Sequence, residues 1–137
     1  MPELKKYKMF INGEWVNSDT ERTFETLNPE NNKPWAVVPE ASASDVDRAV
    51  KAAQNAFEGE WPKLLPKERA KFLRLIGDKL RENAEHLGKI ETIDTGKLYR
   101  ETYKQANYIA EYYDYYAGLA DKVEGTVLPI DLSLIHI

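Results

Sequence analysis

No cysteine occurs among the 137 residues. That excludes from this chain a disulfide framework, a thiolate nucleophile, a cysteine-ligated zinc site and an iron–sulfur cluster. Histidine is nearly as scarce, with only His86 and His136. A nucleophilic serine needs a histidine base within reach, but His86 falls on a polar helix face and His136 lies next to the last residue. Glycine is thin as well. The two closest glycines, Gly118 and Gly125, are seven positions apart, whereas a loop that cradles phosphates with its amide groups needs glycines roughly two to five residues apart. Mean hydropathy is −0.60, and no apolar run approaches the ~20 residues that span a bilayer. The first ten residues carry no hydrophobic signal core. Neither sign of charge is in large excess: 19 basic and 23 acidic residues leave a net −4, which gives no pull toward nucleic acid or an anionic membrane. The expectation is a soluble, cytoplasmic chain with no nucleic-acid and no membrane partner.

What is present, 42% hydrophobic and 31% charged residues, suits one ordinary domain. Asn12-Gly13 stands between the apolar runs Lys8-Met9-Phe10-Ile11 and Glu14-Trp15-Val16. Both turn residues tolerate positive φ, so a hairpin with strands near 8–11 and 14–17 is predicted. A second pair is predicted from Thr23-Phe24-Glu25-Thr26-Leu27 and Trp35-Ala36-Val37-Val38, with the turn formers Asn28 to Pro34 between them.

From Ser44 the apolar period lengthens to that of a helix. Ser44 and Asp47 fit a capping box, and Val46, Ala49, Val50, Ala53 and Phe57 form one stripe, predicting a helix over 45–57. Asp45 and Asp47 need no metal, because carboxylates at a helix start are explained by capping and the helix dipole. Pro66 suits the first turn of a second helix with Phe72, Leu73, Ile76 and Leu80 on one face; its basic residues alternate with Glu68 and Asp78 as a solvated face does. Asn83 is placed to cap a third helix that ends at Gly96.

A fourth helix is predicted from about 101 to 122, where aromatics concentrate: seven of the eight tyrosines lie within 99–116. Tyr103, Ala106, Ile109, Ala110, Tyr113, Tyr116 and Ala117 share one face, and Tyr108, Tyr112, Tyr115 and Leu119 share another. Asn107, Glu111 and Asp114 lie between them. Such a helix is normally covered on more than one side, and the chain holds too little other material to cover both. The tyrosines serve either as core or as the wall of an aromatic pocket. Residues 132–137 form an apolar, strand-like end. Composition and spacing name no reaction.

These residues resemble a known family. The run Phe10 to Val16, then Leu27-Asn28-Pro29, then Ser44-Asp45-Val46-Asp47 leading into Ala49 to Ala53 with Ala56-Phe57 and Trp61, are similar to the N-terminal region of an aldehyde dehydrogenase. The resemblance continues through Glu68-Arg69-Ala70, Glu91 to Lys97 and Tyr116 to Lys122, and covers about residues 8–131. It implies α/β: N-terminal β-hairpins followed by about four helices, part of the three-layer α/β aldehyde dehydrogenase fold. Residues 1–131 would belong to the cofactor-binding domain and 132–137 would not resemble the family. The family oxidises an aldehyde to a carboxylic acid with NAD or NADP. A cysteine thiolate adds to the carbonyl, hydride passes to the nicotinamide, and a glutamate-activated water releases the acid. In the family all those groups come later in sequence than the region that this chain resembles, so no catalytic or cofactor-contacting residue is expected and the chain alone should be inactive.

Two features transfer residue by residue. Many members hold a structural monovalent cation through main-chain carbonyls that fall on Thr26 and Leu27 and through the carboxylate that falls on Asp94; oxygen donors suit such an ion. On this basis Asp94 is expected to matter more than Asp45 to the stability of the complete protein. The fourth helix lines the substrate tunnel in the family, which makes Tyr108 and Tyr112 candidate wall residues. The complete protein would be a homo-oligomer acting on a small aldehyde. The alternative from another class is a self-contained, non-catalytic helical interaction module docking through the tyrosine helix.

Overall fold

The computed structural model describes residues 4–125, and both expected hairpins stand at its start. Strands β2 (Met9–Ile11) and β3 (Glu14–Val16) pair antiparallel, Phe10 opposite Trp15. The turn works because Asn12 and Gly13 adopt φ of 53° and 83°, the left-handed values a two-residue hairpin requires. Strand β4 (Thr23–Asn28) pairs antiparallel with β5 (Lys33–Pro39), with an irregularity between Thr26 and Leu27. In the turn, the Asn28 carbonyl accepts the Asn32 amide at 2.7 Å and the Asn28 side chain accepts the Glu30 amide at 2.9 Å. Sequence reasoning missed β1 (Lys5–Lys6), which runs parallel to β5 and makes the order β1-β5-β4. Ala36, in the middle of that sheet, has no exposed surface.

Helix α1 (Ala43–Glu58) begins two residues before the expected start, and its cap is Ser42 rather than Ser44. Ser42-Ala43-Ser44-Asp45 and Ser44-Asp45-Val46-Asp47 both carry the capping-box spacing, so local pattern could not choose between them. The tertiary fold chooses Asp45. Its carboxylate accepts the Ser42 amide at 2.9 Å and the Ser18 hydroxyl at 2.8 Å, and Arg48 pairs with it. The Asp45 amide in turn donates to the Ser42 hydroxyl at 3.1 Å. Asp45 is 1% exposed. The Ser42 amide above all holds its carboxyl well below the usual carboxylate range; burial opposes this, and Ser18 and Arg48 reinforce it.

Pro66 opens α2 (Pro66–Glu82) as expected, after a short 3₁₀ turn at Trp61–Lys63. Asn83 departs from expectation. Helix α3 (Ala84–Thr95) follows α2 so closely that Asn83 lacks the extended backbone of a helix N-cap. Its side-chain amide donates instead to the Lys79 carbonyl at 2.8 Å, closing the end of α2. Gly96 ends α3 with φ of 76°, its N–H bonded to Thr92. Helix α4 (Tyr99–Leu119) is offset from the expected span and packs along both α2 and α3.

That packing is made by small residues. Ala106, Ala110 and Ala117 of α4 are buried, as are Ala70 and Gly77 of α2 and Ala84 and Gly88 of α3. A methyl group added at Gly88 would stand 3.0 Å from the Tyr103 backbone, and one at Gly77 would stand 3.1 Å from the Ala110 carbonyl. Thr102 is fully buried at the same seam, donating to the Gly88 carbonyl at 2.8 Å with the Thr92 hydroxyl 3.0 Å away. The large side chains go outward. Trp15, Val50 and Phe57 are each more than 60% exposed, and Phe72, Leu75 and Ile76 of α2 are open too. The α1 stripe and the expected α2 face therefore lie largely uncovered. The expected 132–137 end lies outside the described residues.

Asp45 is buried among several donors whereas Asp94 is exposed, so without a bound cation Asp45 carries the larger share of this chain's stability. In potassium-free buffer, Asp45→Asn should lower the melting temperature by several degrees, Ser42→Ala should cost about 1 kcal/mol, and Asp94→Asn should change little. Asp45 favours the ionised folded state, so its stabilisation is complete above the ordinary carboxylate pKa of ~4 and is lost as pH falls below it. Thermal melts across acid pH should show that loss in the wild type and a flatter profile in Asp45→Asn; identical profiles would contradict the assignment.

Candidate functional site

Two places in the fold carry the residues singled out by resemblance. The first is where the β4–β5 turn meets the end of α3. The Thr26 hydroxyl donates to the Asp94 carboxylate at 2.8 Å across 68 positions of sequence. Just beyond it, Gly96 comes so near Pro29 that an added methyl group would stand 3.1 Å from its ring. Positive φ and this close approach both require glycine at 96. The irregularity that separates Thr26 from Leu27 in β4 falls at the same junction. The structure thus brings Thr26 and Asp94 together by side chains and places Leu27 beside them in the strand, half exposed. A carboxylate and a hydroxyl are oxygen donors of the kind a hard monovalent cation takes, so the Thr26–Asp94 pair is chemically compatible with such an ion. Among the described residues no group of three or more histidine, cysteine, aspartate or glutamate side chains is arranged to hold a metal.

The second place is the outward face of α4. Tyr108 and Tyr112, one helical turn apart, meet edge to face with ring centroids 5.0 Å apart and hydroxyls bonded at 2.9 Å. The bond to Tyr108 raises the Tyr112 phenol above its ordinary pKa. With Glu111 and Tyr115 they line an open groove of about 370 Å³. Sequence reasoning did not single out Glu111 and Tyr115 as site residues. Their signal was available in the spacing, since positions 108, 111, 112 and 115 fall on one helix face. Arg81 of α2 pairs with Asp114, at the edge of the same face, and with Asp78 at 3.4 Å. Asp114 chiefly, with Asp78 and Glu111 adding to it, raises the Arg81 pKa. His86 is exposed on α3, as expected for a solvated histidine.

The glycines are widely spaced, and the parallel pairing present joins only Lys5 and Lys6 to Ala36 and Val37. No described helix is long and apolar enough to cross a membrane.

Known proteins share both the sequence and the fold. The model of the aldehyde dehydrogenase family matches residues 15–136. A (Z)-2-((N-methylformamido)methylene)-5-hydroxybutyrolactone dehydrogenase of Acinetobacter baylyi is 43% identical over 129 residues, covering 93% of this chain and 26% of that protein. Among solved structures, an aldehyde dehydrogenase of Bacillus cereus superimposes with a TM-score of 0.86 at 41% identity, over 93% of this chain and 26% of that one. A betaine aldehyde dehydrogenase of Staphylococcus aureus, crystallised with NAD+, gives a TM-score of 0.83 at 40% identity, over 90% of this chain and 26% of that one. The chain therefore spans about a quarter of the length of these relatives.

Proposed function

The chain belongs to the aldehyde dehydrogenase family, and on that premise we propose that residues 1–131 form the N-terminal part of the cofactor-binding domain of an NAD(P)-dependent enzyme. That enzyme oxidises a small aldehyde to a carboxylic acid: hydride leaves the aldehyde carbon for the nicotinamide, and the second oxygen comes from water. The nucleotide supplies the hydride acceptor when bound. The residues of this chain contribute the scaffold, one wall of the substrate passage at Tyr108 and Tyr112, and a cation site at Thr26, Leu27 and Asp94.

One observation carries this reading. The aromatic face of α4 and the apolar face of α2 stand open around the α2–α3–α4 seam, and the apolar face of α1 is open too, as they would be if further polypeptide of the same enzyme lay over them. A self-contained interaction module is the poorer account, because exposed large apolar side chains occur on β2, β3, α1, α2 and α4 rather than on one helix alone. In the passage, Tyr108 and Tyr112 hold one another through ring contact and hydroxyl bond, which makes a wall that does not depend on bound substrate for its shape.

A natural polypeptide carrying these residues with a family-length continuation should reduce NAD or NADP in the presence of an aldehyde, followed at the reduced-cofactor absorbance band. The 137 residues alone should give no binding heat with either nucleotide and no turnover above a protein-free blank. Turnover by the short chain, or none by the long one, would contradict the proposal.

The cation site makes a separate prediction. Potassium should raise the melting temperature of the wild-type chain, and Asp94→Asn should abolish that rise, since loss of the charged ligand leaves only neutral oxygens. Thr26→Val should keep the rise, because it removes the hydroxyl and leaves the main-chain carbonyl in place. An Asp94→Asn chain with an unchanged potassium response would refute the site.

A further inference from the structure

The β2–β3 turn holds a chemically reactive pair. Asn12 alone among the asparagines is followed by glycine, and both residues are exposed. An asparagine side chain is open to attack at Cγ by the main-chain nitrogen of the next residue, which closes a five-membered imide. Closure is favoured by a free side-chain amide, by a next nitrogen outside the hydrogen-bond ladder, and by a next residue without a side chain in the way. Asn12-Gly13 meets all three conditions. Ile11 pairs with Glu14, so the amides of the turn itself fall outside the ladder. Neither the Asn12 side chain nor the Gly13 amide takes a hydrogen bond among the described residues, and the space where a Gly13 side chain would begin is open.

Every other asparagine fails one of these conditions. Asn28 precedes Pro29, which has no N–H. The Asn31 side chain accepts the Lys33 amide at 3.0 Å, and that one bond also engages the nitrogen following Asn32. Asn83 and Asn107 donate to the Lys79 and Tyr103 carbonyls at 2.8 and 2.9 Å. Asn17 and Asn55 are followed by residues with side chains, and Asn55 is held within α1. The fold also holds the Asn12 turn weakly. Strands β2 and β3 have three residues each and pair only with one another, and a two-stranded hairpin is marginal by itself. Phe10 and Trp15, whose ring centroids lie 5.0 Å apart across it, are 61% and 66% exposed. Local opening there costs little, so the Gly13 nitrogen can reach Asn12 while the helix seam stays folded.

We propose that Asn12-Gly13 is a site of self-modification, where the hairpin converts its own asparagine to a carboxylate with water as the only co-reactant. The Gly13 nitrogen loses its proton and bonds to Asn12 Cγ; the Cγ–Nδ2 bond breaks, and ammonia leaves with a proton. Water then opens the imide at either carbonyl. One opening gives aspartate, which tolerates positive φ as asparagine does. The other gives isoaspartate, whose main chain runs through the side-chain carbons and is one atom longer, which breaks the pairing of Phe10 with Trp15. Either product places a new negative charge in the hollow of about 320 Å³ that Asn12 shares with Arg48 and Lys51 of α1.

The test holds the folded chain in mildly alkaline buffer and follows its intact mass, with peptide mapping to assign the site. Each event exchanges an NH group for oxygen. Asn12 should gain that mass several-fold sooner than any other asparagine, and unfolding in urea should speed the gain. Asn12→Asp should gain none at this site and should keep the wild-type Trp15 indole resonance, whereas the isoaspartate product should shift it. Another asparagine reacting first, or a folded chain that stays unmodified while the urea-unfolded chain converts fully, overturns the proposal. An isoaspartate form with an unshifted Trp15 resonance overturns the loss of pairing.

Discussion

Helix α4 can lie close to α2 and α3 because the residues between them have almost no side chain. Gly77 faces the Ala110 carbonyl, Gly88 faces the Tyr103 backbone, and Ala106, Ala110 and Ala117 fill the rest of the seam. Thr102 supplies the one fully buried hydroxyl there and sends it to the Gly88 carbonyl. So close an approach leaves no room between the helices for the rings of α4. Tyr108, Tyr112 and Tyr115 must stand outward, and the groove they form follows from how the inner side packs. A larger residue at Gly88 would therefore move the aromatic wall as well as loosen the seam, since protein interiors transmit such strain rather than absorb it.

Few large apolar side chains are buried, so polar contacts tie the elements together. The fully enclosed apolar residues among those described are alanines, and alanine burial stabilises little. Asp45 joins the start of α1 to the segment at Ser18, and the Thr26–Asp94 bond, with Pro29 against Gly96, joins the sheet to the end of α3. The first contact is buried and charged, and the second is at the surface, which is why the two aspartates carry different loads. Further polypeptide over α1, α2 and α4 would bury the exposed apolar residues and supply the hydrophobic term that these residues alone leave unused.

Features with a local physical cause were readable from sequence. Asn12-Gly13 can hardly do anything but turn, Pro66 opens a helix, and Gly96 ends one. The apolar period located all four helices to within a few residues. What escaped depends on partners distant in sequence. Lys5 and Lys6 have no strand pattern, and only the β5 edge makes them one. The choice of Ser42 over Ser44 is made by Ser18, and the role of Asn83 by the nearness of α3 to α2. Burial of Thr102 has no periodic signature at all. For the candidate sites, Tyr108, Tyr112 and Tyr115 were visible as one helix face, the choice of Tyr108 and Tyr112 as a wall came from family resemblance, and Glu111 was not singled out. The meeting of Thr26 with Asp94 was accessible only through family resemblance.

We propose that residues 1–131 serve as the N-terminal part of an aldehyde-oxidising enzyme. The direct measurement is a chimera: residues 1–131 placed in the Bacillus cereus aldehyde dehydrogenase in place of the segment they match, where the two folds superimpose with a TM-score of 0.86. Aldehyde-dependent reduction of NAD should then proceed within about tenfold of the parent rate. A chimera that folds as cooperatively as the parent and reduces no NAD would contradict the account.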